Sequence, residues 1–262
     1  MEFVCARARE LPPALYDALA VYRFQVFVER LGWELPSAPG YEQDEFDHAD
    51  TVHLVARDAS GAITGCGRLL PTTGPYLLES VFPELFNGLE IPRDAGIWEL
   101  SRFAAMPTQA QAETRRRDYL AERVLLRALR YCAERGVSQL LAVSTPPVER
   151  LLQRAGVRCR RLGPPIVHAG QAILAFVMQV DASSLQALEA FERRALEAST
   201  RAPAASPSLP SWTSSPSAAL HLLPARLPRV DPHSSGGFAG TIADTVVPKL
   251  PGAPRRIASI HA

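Results

Sequence analysis

The chain has little of what marks zinc sites, disulfide scaffolds and membrane spans. Its four cysteines lie far apart among 262 residues and form no Cys-x-x-Cys pair. This spacing excludes a zinc-finger signature and a dense disulfide framework, and it favours buried free thiols in a reducing compartment. No run of about 18 apolar residues occurs, so we expect no membrane span. Acids and prolines interrupt the N-terminal segment, which excludes a signal peptide, and we therefore expect a cytoplasmic protein.

Net charge is also nearly absent. Lys and Arg number 28 and Asp and Glu number 27, which leaves a formal net charge of +1 at pH 7. This balance argues against a general nucleic-acid binder. Apolar residues, in contrast, make up 47% of the chain and charged residues only 21%, so a sizeable core can be buried.

Proline is unevenly distributed. Ten of the 23 prolines fall in residues 199–262, a stretch that is also rich in Ser and Ala. Such a sequence cannot sustain a helix or an inner strand, so we predict a tail that is mostly disordered. Residues 1–198 are predicted to form one α/β domain.

The apolar periodicity of residues 1–198 predicts a mixed sheet flanked by helices. Strand patterns come first in hairpin order and then in strand–helix–strand order, which is typical of such sheets. Between the first helix and the first strand pattern lies an acidic loop, residues 34–50. The predicted helices cover residues 15–31, 118–135 and 147–155, and the predicted strands cover residues 51–58, 62–70, 96–105, 139–144 and 172–180.

Several charged residues stand where a plain core would not need them. Arg68, Glu99 and Arg102 lie inside strand patterns of mostly apolar residues. A buried charge is costly unless it is paired. The acidic loop supplies Asp44 and Asp47 as possible partners. The economical interpretation is one shared cluster of arginines and carboxylates.

These segments resemble the acyl-homoserine-lactone synthase family (LuxI-type), from about residue 15 to about residue 180. The order and the spacing of the polar and aromatic residues carry the resemblance. The matching patterns are Arg23-x3-Phe27-x5-Trp33-x10-Asp44-x2-Asp47, the arginine Arg68 of a Gly-x-x-Arg-Leu strand, and Glu99-x-Ser101-Arg102-Phe103. The proline-rich tail lies beyond the usual family core.

The resemblance implies a fold like that of the N-acetyltransferases: a twisted mixed sheet with a V-shaped cleft, flanked by helices. N-acetyltransferases hold the coenzyme A diphosphate on a glycine-rich loop that enters a helix. The corresponding residues 107–120 contain no glycine. We therefore expect a donor carried on acyl carrier protein, whose phosphopantetheine arm needs only a channel.

The resemblance also implies the reaction. The amine of S-adenosylmethionine is acylated, the product closes to a lactone, and methylthioadenosine and a quorum-sensing signal are released. S-adenosylmethionine is a substrate here, and neither a cofactor nor a metal is expected. The residues assigned to catalysis are Glu99, as the base, with Asp44, Asp47, Arg68 and Arg102, and those assigned to S-adenosylmethionine are Arg23, Phe27, Trp33, Ser101 and Phe103.

Two further surfaces are predicted for the acyl donor. A basic helix face is expected to steer acidic acyl carrier protein. In the family, a threonine at the place of Ala142 is associated with 3-oxo donors, so alanine favours unsubstituted or 3-hydroxy chains. The predicted acyl pocket consists of Leu100, Leu141, Ala142, Val143, Ser144, Leu151 and Leu152, and the docking face consists of Arg116, Arg123, Arg127 and Arg130.

Two other readings of the sequence remain. A coenzyme A-dependent N-acyltransferase would share the sheet but not the Arg–Phe–Trp–Asp–Asp pattern. A non-catalytic homologue that only binds ligand would not need Glu99 and the complete arginine set. We expect a monomer.

Overall fold

The computed structural model describes residues 1–35, 37–106 and 119–201, without the side chains of residues 198–201. Its described part contains eight strands and five α-helices. The strands are β1 (Glu2–Arg7), β2 (Val52–Arg57), β3 (Ile63–Pro71), β4 (Ile97–Ala105), β5 (Gln139–Ser144), β6 (Cys159–Arg161), β7 (Ile166–His168) and β8 (Gln171–Gln179). The α-helices are α1 (Pro13–Arg23), α2 (Leu77–Val81), α3 (Leu120–Ala133), α4 (Pro146–Arg154) and α5 (Ala182–Arg201).

The strands form one mixed sheet in the order β1-β2-β3-β4-β5-β8-β6, with β7 paired to β8. Neighbouring strands are antiparallel except β4 and β5, which are parallel. The parallel pairing covers only Ile97–Glu99 opposite Gln139–Leu141. Beyond it both strands continue without pairing to each other, so the sheet opens between them. This opening confirms the predicted V-shaped cleft in a mixed sheet.

Each face of the sheet carries its own apolar core. Helices α3 and α4 cover one face, where Leu100, Phe103 and Leu152 are buried with the apolar side of α3. Helices α1 and α2 cover the other face, where Phe27 and Trp33 are buried. Strand residues alternate between the two faces, so sequence parity decides which core a side chain joins.

The long predicted helices differ from the structure at their ends. Helix α1 ends at Arg23 and continues as a wider π-helical turn over Phe24–Arg30, in which the Leu31 N–H donates to the Val26 carbonyl at 3.0 Å. Helix α3 begins at Leu120 and ends before Gly136, which adopts a φ of +73°. The apolar face predicted for α3 is confirmed.

Several elements were not predicted. They are β1, the short α2, the short strands β6 and β7, and α5. Helix α5 runs to Arg201 and thus crosses the predicted domain boundary at residue 198. Residues 202–262 lie outside the described part, so the disordered tail stays a prediction. Within the described part no helix is long and apolar enough to cross a membrane, and the four cysteines are free thiols.

Candidate active site

The predicted polar residues meet on the face of the sheet that α1 and α2 cover. In the strand register, His53 of β2 lies opposite Arg68 of β3, and Arg68 lies opposite Ser101 of β4. Two residues before Ser101 on β4, Glu99 lies between Leu70 of β3 and Leu141 of β5. Glu99 is therefore at the last paired position before β4 and β5 separate. The polar row ends where the cleft begins.

A β-bulge in β4 changes which residues share this face. The register slips between β3 and β4, so that Arg102 and Phe103 lie opposite the single residue Gly67, and Arg102 adopts a φ of +48°. Strict alternation would place Glu99, Ser101 and Phe103 together and Arg102 on the opposite side. The extra residue instead brings Arg102 to the polar face and turns Phe103 to the α3 side. The Phe103 side chain therefore lies among the apolar residues of that side, away from the site predicted for S-adenosylmethionine.

The loop at residues 41–47 carries its carboxylates into the protein. The Asp44 and Asp47 side chains are 5% and 0% exposed, whereas an ordinary acidic loop would be solvated. The Asp44 N–H donates to the Asp47 carboxylate, and the Phe46 N–H donates to Asp44, each at 3.0 Å. These bonds close the loop on itself and turn both acids inward. Arg23, at the end of α1, binds Asp47 through two parallel bonds of 2.8 Å.

Asp44 lies between the other two predicted arginines. Arg68 Nη1 donates to one of its oxygens, and Arg102 Nη2 donates to the other at 2.7 Å. Arg68 Nη1 also lies 3.2 Å from Asp47. Burial would raise the pKa of Asp44, but the Arg68 and Arg102 guanidinium groups outweigh it and hold the pKa below its ordinary value. The pKa of Asp47 is likewise lowered against the effect of burial, chiefly by Arg68 and Arg23.

Glu42 is the member of the cluster that sequence reasoning missed. It is 1% exposed, and its carboxylate accepts bonds from Arg23 Nε and from Arg102 Nε, the latter at 3.0 Å. With it, three guanidinium groups face three carboxylates, and the cluster is neutral. One signal was available in the sequence, because three arginines need three acids, and Glu42 stands in the same acidic run as Asp44 and Asp47.

His53, to which no role was assigned, lies behind the cluster. It is buried, and its Nε2 is 3.8 Å from the Asp47 carboxylate. Burial, together with Arg23 and Arg68, lowers the pKa of His53 to about 3, against the effect of Asp47. The imidazole is therefore neutral at pH 7 and adds no charge to the site.

Glu99 differs from the other acids of the site because none of the described arginines is hydrogen-bonded to it. Its Oε2 accepts the N–H of Leu78, at the start of α2, at 2.8 Å. Burial raises the pKa of Glu99 to about 7, although the Leu78 hydrogen bond, the Arg68 charge and the Ser101 hydroxyl oppose the rise. A carboxylate with a pKa near neutrality can accept and release a proton at physiological pH. Glu99 thus has the properties of a general base.

Two aromatic rings cover this polar surface. Phe27 lies in the π-helical turn and stacks on Trp33, with ring centroids 4.6 Å apart and planes inclined by 21°. The backbone N–H of Trp33 donates to the backbone carbonyl of Phe27 at 2.9 Å, which holds the two residues together. The Arg102 guanidinium lies 6.0 Å from the Phe27 ring centre. The predicted aromatic wall therefore lies directly beside the cluster.

Comparison with known proteins agrees with this geometry. The autoinducer synthase family matches residues 10–188. An acyl-homoserine-lactone synthase of Ralstonia nicotianae is 46% identical over 180 residues, which cover 68% of this chain and 88% of that protein. The chain belongs to the autoinducer synthase family. It is an acyltransferase that makes acyl-homoserine lactones.

Solved structures of acyl-homoserine-lactone synthases are similar to this chain. TofI, in a ternary complex with an inhibitor and MTA, has a TM-score of 0.64 and 42% identity, and the match covers 72% of this chain and 97% of TofI. BjaI, a coenzyme A-dependent acyl-homoserine-lactone synthase solved with MTA, has a TM-score of 0.64 and 26% identity over 74% of this chain and 87% of BjaI. Related synthases thus include one that depends on coenzyme A.

The residues predicted for the acyl pocket divide between the two faces. Leu100, Ala142 and Leu152 are buried on the α3 side, and Leu151 packs against them. Ser144 shares the strand parity of Ala142 and is fully buried. Leu141 and Val143 point to the opposite face, because adjacent strand residues alternate. The residues on the α3 side can line one pocket, and the other two cannot join it there.

A cavity of about 170 Å³ lies on the Leu141 side, beside the start of β4. Its walls include Phe86, Leu89, Arg160 and Leu162, and Leu141 is the one predicted acyl residue among them. The residues that line it include neither a member of the ion cluster nor Glu99. Within the described residues, no group of three or more His, Cys, Asp or Glu side chains is arranged to hold a metal ion.

In the structure, part of the predicted docking face is already paired with carboxylates of the same chain. Arg116 lies outside the described residues. Arg127 binds Glu192 of α5, and Arg130 binds Glu189 at 2.8 Å. The Arg123 guanidinium lies 5.2 Å from the ring centre of Phe3. Two of the four predicted docking arginines are thus already paired with carboxylates of the unpredicted helix α5.

Proposed function

We propose that the synthase transfers an acyl group from acyl carrier protein to the amine of S-adenosylmethionine and then closes the lactone. One observation carries the proposal. Glu99, with its raised pKa, lies on the same face as a neutral ion cluster, at the point where β4 and β5 separate. That arrangement offers a proton acceptor, a site for a charged amino acid, and an opening for a thioester.

In the first step, the neutral amine attacks the thioester carbon. A free α-amine has a pKa of roughly 7.7–8.0, so the bound ammonium must lose a proton. Glu99 accepts it, directly or through one water. Glu99 passes this first proton to solvent. As the amine adds to the thioester carbon, its nitrogen loses a second proton to Glu99, the carbon–sulfur bond of the thioester breaks, and the thiolate takes up that second proton. An amide and a thiol remain, and Glu99 is again a carboxylate.

In the second step, the methionyl carboxylate attacks the γ-carbon next to the sulfonium. The carbon–sulfur bond breaks, its electrons pass to sulfur, and neutral methylthioadenosine leaves. This step needs no external acid, since a sulfonium is already a good leaving group; it needs a folded substrate. TofI and BjaI were each solved with MTA, that is, methylthioadenosine. This supports methylthioadenosine as the leaving group here as well.

The cluster offers donors for the substrate carboxylate. Arg68 Nη2 and Arg102 Nη1 are buried, and neither has a hydrogen-bond partner within the described part of the chain. A buried guanidinium N–H without an acceptor is costly, and a carboxylate is its best partner. The two arginines lie on either side of Asp44, so one substrate carboxylate can accept from both. Phe27 and Trp33 then face the adenosyl sulfonium end.

For the carrier protein, the structure favours a face adjacent to the predicted one. Arg150 and Arg154 are four residues apart on α4, and both are exposed. Neither of them has an ion-pair partner among the described side chains. Unpaired surface arginines give a positive field that attracts an acidic partner. This field supports acyl carrier protein as the donor.

The product tests the function. Expressed in a bacterium that makes no such signal, the synthase is expected to yield an organic extract with a homoserine-lactone fragment ion in its mass spectrum. The parent ion is expected to carry an unsubstituted or 3-hydroxy chain, because Ala142 has no hydroxyl for a 3-oxo group. Cells with the empty vector are the control. An acylated product without the lactone fragment would identify an ordinary N-acyltransferase instead.

Reversal of the α4 charges tests the donor. In the double variant Arg150→Glu/Arg154→Glu we expect the KM for acyl carrier protein to rise about tenfold at low salt and the KM for S-adenosylmethionine to stay unchanged. Added salt should reduce the difference, because it screens exposed charges. Arg193→Glu, an exposed charge on α5, is the matched control. An unchanged KM at low salt, or a higher kcat/KM with acyl-coenzyme A, would reject this docking face.

A further inference from the structure

Glu42 joins two parts of the site that are far apart in sequence. Its carboxylate accepts from Arg23 Nε at the end of α1 and from Arg102 Nε on β4. Its backbone N–H donates to the Ala20 carbonyl of α1 at 3.1 Å, which holds the acidic loop against that helix. A single buried carboxylate thus connects the helix, the loop and the bulged strand.

Glu42 binds both arginines at Nε, and this position determines the orientation of each guanidinium group. A guanidinium is planar and carries its five N–H donors in a fixed fork. When Nε is held, the plane is held, and both Nη atoms have fixed directions. In Arg23 both Nη atoms bind Asp47. In Arg102, Nη2 binds Asp44, and Nη1 has no partner among the described residues.

We infer that Glu42 is a positioning residue for S-adenosylmethionine: by holding Nε of Arg23 and of Arg102 it directs Arg102 Nη1 toward the amino-acid half of the substrate. The inference rests on the proposed function. It assigns a substrate effect to a residue that does not itself contact substrate. It also explains why one carboxylate serves two Nε atoms, whereas a simple ion pair would need only one arginine.

The test compares two ligands that differ in the amino-acid half. Methylthioadenosine keeps the adenosyl group of S-adenosylmethionine but lacks the amine and the carboxylate. In Glu42→Gln, the side chain keeps its shape, but its amide N–H₂ meets an arginine donor and the cluster gains one positive charge. We expect S-adenosylmethionine to bind about tenfold more weakly, as for the loss of one charge-assisted hydrogen bond. Methylthioadenosine should bind within about twofold of its wild-type affinity.

Isothermal titration of both ligands measures the effect, with Glu45→Gln, an exposed acid of the same loop, as the control. Equal weakening of both ligands would show a general structural defect, and no weakening would show no role; either result overturns the inference. If Glu42→Gln does not fold, Glu42→Asp replaces it, because its shorter carboxylate can reach one Nε but not both. Unchanged S-adenosylmethionine affinity in folded Glu42→Asp, or failure of both variants to fold, also contradicts it. A wild-type chain that binds no S-adenosylmethionine would instead refute the proposed function.

Discussion

Replacement of Glu99 by glutamine is expected to lower kcat by about 10²- to 10⁴-fold, the range of a lost general base. Glutamine keeps the shape of glutamate and can still accept the Leu78 N–H through its carbonyl oxygen. It cannot accept a proton from the substrate amine. The KM for S-adenosylmethionine should change little, because the ion cluster that we propose as its binding site remains intact. Steady-state kinetics with both substrates measure the effect.

The pH dependence separates a base from a merely structural glutamate. Because burial raises the pKa of Glu99 to about 7, wild-type kcat/KM is expected to fall as the pH drops below about 7, where Glu99 becomes protonated. In Glu99→Gln this limb should be absent, and any limb near pH 8 that remains belongs to the substrate amine. A variant that keeps more than a tenth of the wild-type kcat, with the limb unchanged, would remove Glu99 from the mechanism.

The stability of Glu99→Gln toward urea is the control that separates loss of catalysis from loss of fold. The folded-state pKa of Glu99 is above the value of about 4.3 for an unfolded glutamate, so the folded state binds the proton more tightly. Its contribution to stability is complete below about pH 4 and is lost as the pH rises to about 7. Glutamine does not titrate, so Glu99→Gln should resist urea at least as well as wild type above pH 7. Loss of activity in that range is then not loss of fold.

Replacement of Arg68 by methionine is expected to destabilise the fold by about 3–5 kcal/mol, the cost of removing one partner of a buried ion pair. Arg68 is fully buried and binds Asp44, Asp47 and the Ser101 hydroxyl. Methionine fills much of the same volume, but Asp44 then keeps only Arg102, Asp47 keeps only Arg23, and the buried cluster has one uncompensated negative charge. Urea denaturation at pH 7, monitored by circular dichroism, gives the free energy of unfolding.

A surface arginine provides the matched comparison. Arg9 lies 2.5 Å from Asp50, but their side chains are 49% and 60% exposed. Such pairs contribute about 0–1 kcal/mol, so Arg9→Met should unfold close to wild type. If both variants lost the same small amount, the cluster would not be the electrostatic centre of the fold. At pH values below about 4 the penalty of Arg68→Met should shrink, because a proton can then neutralise the uncompensated negative charge of the cluster.

Local sequence was enough to find most of the cluster. Arg68, Glu99 and Arg102 were visible because charges inside apolar strands need partners. The acidic loop offered Asp44 and Asp47 as possible partners, and the family resemblance selected them. The main strands and the apolar face of α3 were likewise predictable, because their periodicities are properties of short segments. These signals need no knowledge of how the segments pack.

The remaining features depend on contacts between distant segments. The bulge that brings Arg102 to the polar face and turns Phe103 away arises from pairing with β3, and alternation along β4 alone predicts the opposite. Glu42 looked like one more loop acid until two arginines met its carboxylate. Helix α5 was not predicted, and its glutamates neutralise a face that looked basic in sequence. Charge and burial at these positions are set by long-range packing, which residue patterns along a single segment do not contain.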